Sequence, residues 1–304
     1  MASIAEGLAV PAPGQNEMDR PRDKDTFGRY LRRNPLLIVG LTLLSLLVLF
    51  VVVGHFTVDL DKADPLSVRV LQPPSWALPF GSDKQGRNLY AVMVAGTPMT
   101  VQIGVIAGIL GTVVGTILAL VSAFYGGWVD TVIRTIVDIG LTIPGLMVLI
   151  VIAMNVRGGL SITGMSLVVA ILAWLFPART IRAQVLTIKE RSYVQVARLS
   201  GMSSLEIIVK ELMPNLLPYI VASLVGSVSA AVLASVGLEV LGLGAFANPT
   251  LGMTLYWVIY YAAIINSWWW WVPPLVVIIV LFTGLFMVTV GLDEIANPRI
   301  RRKA

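Results

Sequence analysis

The chain of 304 residues contains no cysteine and a single histidine, His55. Without thiols it can form no disulfide, no thiolate metal site and no cysteine nucleophile. The sequence also lacks the hydrolase motifs G-x-S-x-G and H-E-x-x-H and the phosphate-binding motif G-x-x-x-x-G-K-[ST]. These absences predict a non-catalytic chain that holds no metal and does not bind ATP through a P-loop.

Charge is also scarce, and its distribution is uneven. Only 13% of the residues are charged, against about 25% in soluble domains. A membrane-spanning helix needs about 20 mostly apolar residues. The long uncharged runs therefore predict an all-α membrane protein with six spanning helices: 35–56, 98–123, 131–154, 162–180, 216–240 and 268–291.

The positive charges predict the orientation of these six helices. With the N-terminus inside, 17 of the 22 Lys and Arg residues fall on the inner side, which is the bias that membrane proteins show. Both termini are therefore predicted to be cytoplasmic. Because this bias also accounts for the net charge of +5, no nucleic-acid partner is needed to explain it.

The predicted helices divide the chain into five parts. An inner tail with an interfacial helix covers 1–33, the first span covers 34–56 and an outer loop covers 57–97. A five-helix core covers 98–291 and an inner tail covers 292–304. Within the outer loop, Ser82 and Gln85 match a capping box, which predicts a short amphipathic helix on the outer surface.

The second span carries glycines on one helix face. Gly104, Gly108, Gly111 and Gly115 are spaced at i, i+4, i+7 and i+11. Small residues in this pattern allow another helix to approach closely within lipid. The pattern predicts a helix-packing seam.

Three charged residues share a face of the third span: Asp130, Arg134 and Asp138. Their spacing of four predicts that Arg134 pairs with one of the two carboxylates. A substrate or proton role for Asp138 is the alternative, so it remains a candidate for the translocation pathway. Pro144, farther along, is expected to bend this helix.

Residues 192–214 form a polar segment between the fourth and fifth apolar spans, and we call them the coupling segment. Ser192 with Gln195, and Ser203 with Glu206, both match a capping box and predict two helix starts. Gly201 lies between them, where a left-handed residue ends many helices. Pro214 is expected to stop the second helix, whose apolar stripe is Leu205, Ile208, Val209 and Leu212. A helix of about ten residues is marginal alone, so this one needs a docking partner.

This segment resembles the cytoplasmic loop of membrane subunits of bacterial ABC importers, E-A-A-x3-G-x9-I-x-L-P. Ala197, Gly201 and Pro214 match that pattern, whereas Gln195 replaces its glutamate. Five further stretches resemble the C-type permease of dipeptide and oligopeptide importers: R-R-N-P-L-L-I-V-G-L (32–41), G-S-D-K-Q-G-R-N (81–88), Y-G-G-W-V-D (125–130), L-G-L-G (241–244) and G-L-D-E-I-A-N-P-R (291–299).

The resemblance implies a type I importer fold in a bacterial or archaeal plasma membrane. This chain would pair with a B-type permease, two ATPase subunits that bind ATP and Mg, and an extracytoplasmic substrate-binding protein. A coupling helix between the fourth and fifth spans would then dock on an ATPase. The residues expected to make this contact are Gln195, Ala197, Gly201, Met202, Ser203, Leu205, Glu206, Ile207, Lys210 and Pro214.

A departure from the family pattern identifies two more candidates for the pathway. The family usually has an acidic residue at the position of Ser235, and here Glu239 follows one turn later. Glu239 either contacts a peptide amine or the partner permease near the outer gate, or is solvated at the outer helix end. The aromatic run Trp268–Trp271 suits a membrane interface, with a sugar-stacking surface as the alternative.

Short peptides are the expected solutes, with oligosaccharides and nickel chelates as alternatives. A secondary transporter or channel would call for ion-coupling acids at mid-membrane and related repeats, which the sequence does not show. A membrane hydrolase is disfavoured by the missing motifs.

Overall fold

The computed structural model describes residues 34–156 and 159–296, without the side chains of 295 and 296. Within these ranges the chain is helical and has no strand beyond isolated bridges. The helices are α1 (Pro35–Thr57), α2 (Leu89–Tyr125), α3 (Gly127–Thr142), α4 (Gly145–Met154), α5 (Ile162–Ala173), α6 (Leu175–Ile188), α7 (Ser192–Leu199), α8 (Ser204–Glu206), α9 (Met213–Val240), α10 (Leu251–Tyr260) and α11 (Trp268–Ala296). A 3-10 turn (Leu60–Ala63) follows α1, and a π-helix (Ile207–Leu212) joins α8 to α9.

The helices support the membrane prediction. Four continuous helical stretches are long and apolar enough to span a bilayer: Pro35–Thr57, Leu89–Tyr125, Ser204–Val240 and Trp268–Glu294. Two bent pairs bring the number of spans to as many as six: α3 with α4, at 84°, and α5 with α6, at 41°. The first break lies at Ile143 and Pro144, where a residue before proline is pushed out of the helical region. The expected bend at Pro144 is therefore a full interruption.

α2 is the central helix, and its glycines lie where other helices cross it. A Cβ on Gly104 would meet Val232 and Val228 of α9, and a Cβ on Gly108 would meet Val228. A Cβ on Gly111 would meet Ala173 of α5. Gly115 faces Trp174, Pro177 and Ala178, where α5 gives way to α6. The stripe thus serves two neighbours, α9 toward one end and the bent α5–α6 pair toward the other.

The sequence prediction of a short amphipathic helix in the outer loop is wrong. Residues 82–88 form a tight turn, because Asp83 Oδ1 accepts the backbone N–H groups of Gln85 and Arg87, both at 2.9 Å. Ser82 is likewise occupied, since its hydroxyl donates to the Arg69 carbonyl at 2.6 Å. Asn88 is the N-cap of α2, so the spanning helix begins at Leu89 rather than at 98.

The same turn contains a buried ion pair. Arg87 Nε lies 2.6 Å from Asp83 Oδ2, and both side chains are almost fully buried. The two residues are four positions apart, the spacing of an ion pair on a helix, but here the pair lies in a turn. It fixes the shape of the turn that precedes α2.

One more predicted boundary differs. α11 runs to Ala296, so the tail predicted from 292 begins inside a helix. Trp268–Trp271 begin α11 as one aromatic run, but Trp270 is fully buried while Trp268 is exposed. The predicted interfacial helix in 1–33 lies outside the described residues. So do residues 297–304 and Arg157.

Candidate functional site

The coupling segment contains a helix–turn–helix whose turn is made by Gly201. Gly201 has a φ of +80°, in the left-handed region that favours glycine. Its N–H donates to the Arg198 carbonyl at 3.0 Å, and the Met202 N–H donates to the Ala197 carbonyl at 3.2 Å. This pair of bonds is a Schellman motif that satisfies the last carbonyls of α7. The predicted helix end at Gly201 is confirmed.

The second predicted capping box is present and the first is not. Ser203 Oγ accepts the Glu206 N–H at 3.3 Å, while Glu206 Oε2 accepts the Ser203 N–H at 3.0 Å. Lys210 Nζ then lies 3.3 Å from Glu206 Oε1. The first helix instead starts after Arg191, which provides no side-chain cap. Gln195 lies inside α7, away from any cap.

Pro214 does not stop the second helix, contrary to the sequence prediction. The chain continues from α8 through the π-helix into α9, and Pro214 lies in the first turn of α9. Within this continuous helical stretch the proline removes one intrahelical hydrogen bond and crowds the carbonyl of the preceding turn, and the π-helix lies directly before it. In the wider π-turn the carbonyl partners lie five residues apart.

The π-helix also changes which side chains are buried. Ile207 and Leu212, five residues apart, are 2% and 0% exposed. Leu205 and Val209, predicted to share one apolar stripe with Leu212, are 69% and 56% exposed. The predicted stripe therefore divides into a buried face and an exposed face.

The buried face attaches the coupling segment to the bundle. It belongs to an apolar cluster that joins α7 and the π-helix to the ends of α2 and α6: Ala119, Leu120, Ala123, Ile181, Val185, Val194, Ala197, Ile207, Leu212 and Leu216. Met202 packs against the margin of this cluster. The segment is thus fixed on its inner side by packing.

The exposed face is apolar and is not covered by any described part of the chain. Its members are Val196, Leu199, Leu205 and Val209, with Leu199 88% exposed. Large apolar side chains exposed on neighbouring short helices are candidates for a binding surface. This surface is the candidate docking site.

A polar clamp lies beside the coupling segment. The Arg182 guanidinium of α6 bonds both carboxylate oxygens of Asp130 in α3, Nε to Oδ1 at 2.6 Å and Nη2 to Oδ2 at 2.5 Å. Ser122 of α2 donates to Asp130 and accepts from Arg182 Nε at 3.1 Å. We use the term polar clamp for Ser122, Asp130 and Arg182.

The predicted pairing within α3 is confirmed for Arg134, whose partner is Asp138. Arg134 lies 3.4 Å from Asp138, and both side chains are largely exposed. Asp130, the other predicted partner, is held by Arg182 instead. The spacing along α3 favoured local pairs, and no sequence signal linked Asp130 to a residue 52 positions away.

The predicted pathway residues do not come together. Ser235 is fully buried, and its hydroxyl donates to the Val232 carbonyl of its own helix at 2.9 Å. Glu239 is also buried, and its side chain packs against Gly252, while its Oε2 has no hydrogen-bond partner among the described residues. It therefore connects the end of α9 to the start of α10, so the solvated alternative is wrong. Asp138 lies elsewhere, exposed on α3.

A polar groove that the sequence did not indicate lies between α6, α9 and α11. Its volume is about 320 Å³. Its polar lining residues are Thr180, Gln184, Tyr219, Ser223, Thr289 and Asp293. Hydroxyl and amide groups from three helices are better suited to a water-facing surface than to contact with hydrocarbon. The groove could not be recognised from the sequence, because each helix contributes only one or two polar residues to it.

Comparison with known families gives two matches. The model described as "Binding-protein-dependent transport system inner membrane component" matches residues 111–302. The model described as "N-terminal TM domain of oligopeptide transport permease C" matches residues 25–74.

Individual relatives agree with the family matches. The oligopeptide transport system permease protein OppC of Mycobacterium tuberculosis is 27% identical over 175 residues, which cover 58% of this chain and 60% of that protein. The dipeptide transport system permease protein DppC of Alkalihalophilus pseudofirmus is 28% identical over 219 residues, covering 72% and 71%. The OppC of Bacillus subtilis is 28% identical over 221 residues, covering 73% and 72%.

A solved structure shares the fold. Part of the chain superposes on a chain of the MetNI methionine ABC transporter in an inward-facing conformation, with a TM-score of 0.55 and 20% identity. The match covers 67% of this chain and 94% of the other.

Proposed function

The chain belongs to the family of binding-protein-dependent transport system inner membrane components, and on this basis we propose that it is a permease subunit of an ATP-driven ABC importer. As a multi-pass inner membrane protein it would form half of a translocation pathway. It would do no bond chemistry of its own. ATP and Mg would be held by partner ATPase subunits.

The exposed apolar face of the coupling segment is the observation that carries this proposal. Leu199, Leu205 and Val209 project from two short helices whose other side is fixed in the bundle. An importer that uses a separate ATPase needs such a surface to receive the movement of that subunit. The capped ends at Gly201 and Ser203 give the segment a defined shape to insert.

The remaining partners follow from the family organisation. We expect a B-type permease to complete the pathway, a second ATPase to dock on that permease, and an extracytoplasmic binding protein to deliver the solute. The coupling segment and both termini would be cytoplasmic, which the distribution of Lys and Arg supports. The polar groove with Asp293 would then open toward the cytoplasmic half of the pathway.

Short peptides are the proposed solutes, because the relatives are named as oligopeptide and dipeptide permeases. The oligosaccharide alternative depended on a stacking surface of aromatic rings. These rings largely contact one another, as Trp257 with Tyr261 at 5.8 Å and Tyr261 with Trp270 at 6.0 Å. They are better explained as packing of α10 against the start of α11.

The test is reconstitution. An affinity-tagged chain would be purified from its own cells with whatever subunits accompany it, and the complex would be placed in liposomes with its binding protein. We expect a second permease and ATPases to co-purify, and labelled di- or tripeptides to accumulate only with ATP and Mg. Uptake driven by a proton gradient without ATP, or accumulation of an oligosaccharide and not of peptides, would contradict the proposal.

A further inference from the structure

The turn between α2 and α3 is contacted by three cationic side chains, of which two come from α6 and the residue after it and one comes from α7 of the coupling segment. Arg182 of α6 holds Asp130 and Ser122. Lys189, just beyond α6, donates to the Ala123 carbonyl at 2.8 Å. The Arg198 guanidinium of α7 lies 5.7 Å from the centre of the Phe124 ring. The turn is therefore held at Ser122, Ala123, Phe124 and Asp130.

Apolar packing joins the same parts. Ala119, Leu120 and Ala123 at the end of α2 share one cluster with Val194 and Ala197 of α7. Protein interiors are close-packed and transmit displacement rather than absorb it. A force on the coupling segment therefore reaches the α2–α3 turn directly.

The clamp is also unlike the other ion pair of α3. Asp130 and Arg182 are about one-fifth exposed and bonded at two points, whereas Arg134 and Asp138 are exposed and 3.4 Å apart. An exposed pair of this kind contributes little. A two-point Arg–carboxylate pair fixes the relative orientation of the two helices.

The position of Asp130 determines which part of the chain the polar clamp can move. It lies in the first turn of α3, and α3 ends at the 84° break before α4. A helix held at one end and broken at the other can rotate as a rigid piece. We propose that the polar clamp makes α3 a second transmission path, which carries the movement of the coupling segment to the α3–α4 break. Asp130 and Arg182 would be its positioning residues.

This inference rests on the proposed importer function, so its test uses the assembled complex and compares solute uptake with ATP hydrolysis. In Asp130→Asn we expect the amount of peptide transported per ATP hydrolysed to fall about tenfold, within the range of coupling between distant sites. ATP hydrolysis and assembly should persist. The exchanged pair Asp130→Arg with Arg182→Asp should restore much of the ratio.

Arg134→Gln is the matched control, since it removes a charge from the same helix without touching the clamp, and its ratio should stay at the wild-type value. If Asp130→Asn does not assemble, Arg182→Lys is measured by the same criteria, because lysine keeps the charge but loses the two-point geometry. An unchanged ratio of peptide transported to ATP hydrolysed would overturn the proposal. A fall of uptake and hydrolysis together, in proportion to the loss of assembled complex, would also overturn it. Failure of the importer function itself would show separately, as absent ATP-dependent uptake in the wild type.

Discussion

At Gly201 the requirement for glycine comes from the backbone rather than from space. A Cβ added there would meet nothing within 4 Å, but φ is +80°. A residue with a side chain pays roughly 1–2 kcal/mol in this left-handed region. We therefore expect Gly201→Leu to displace the Schellman turn and to abolish ATP-driven uptake while the chain still inserts and assembles.

Gly201→Asn is the matched control for this prediction, because asparagine is close to leucine in size yet visits the left-handed region readily. We expect it to keep most of the uptake measured in reconstituted liposomes. Normal uptake by Gly201→Leu would refute the backbone argument. Equal loss in both variants would show that the side chain itself obstructs docking.

Single residues also mark where sequence reasoning succeeded. The capping box at Ser203 and the left-handed Gly201 were predictable because local chemistry determines both. The partner of Asp130 was not predictable, because Arg182 reaches it only after three helices have packed. The burial of Glu239 likewise depends on α10 folding back over the end of α9.

At the scale of elements, the crossings of α2 decide whether the bundle packs. A Cβ on Gly108 would lie 2.8 Å from the backbone nitrogen of Val228 and 2.9 Å from its Cα. These atoms belong to the backbone of α9 and cannot move aside. Overpacking of this kind costs about 1–3 kcal/mol, so we expect Gly108→Ala to lower the thermal unfolding temperature of the purified complex.

Gly226→Ala offers a close comparison, since this glycine also lies inside a spanning helix. Its Cβ would meet only a methyl group of Thr289, at the ordinary distance of 3.4 Å. Alanine is the better helix former by up to about 1 kcal/mol. The unfolding temperature of Gly226→Ala should match or exceed that of the wild type. Equal destabilisation of both variants would refute the seam argument.

The elements also show the limits of periodicity. Charge-free runs located the spans, because hydrocarbon excludes charge along the whole length of a helix. They did not locate the π-helix at Ile207–Leu212, since a change of hydrogen-bond spacing from four residues to five over six positions leaves no pattern to count. Nor did the capping box at Ser82 predict structure, because Asp83 takes the backbone groups that a helix would need.

On the scale of the whole molecule, orientation remains a prediction from charge. The absence of cysteine makes it directly testable, since any introduced thiol is the only one in the chain. Arg69 in the outer loop and Glu190 beside the coupling segment are both exposed. With the coupling segment cytoplasmic, a thiol reagent that cannot cross membranes should label Arg69→Cys in intact cells.

Glu190→Cys should react with the same reagent only after the membrane is permeabilised. The unsubstituted chain, which has no thiol, gives the background labelling in both conditions. Peptide uptake by each variant shows that its fold is retained. The reverse pattern would place the coupling segment outside, where no ATP-hydrolysing partner could reach it. Because the polar clamp and the exposed apolar face lie at the same end of the bundle as Glu190, one labelling pattern decides the side for all of them.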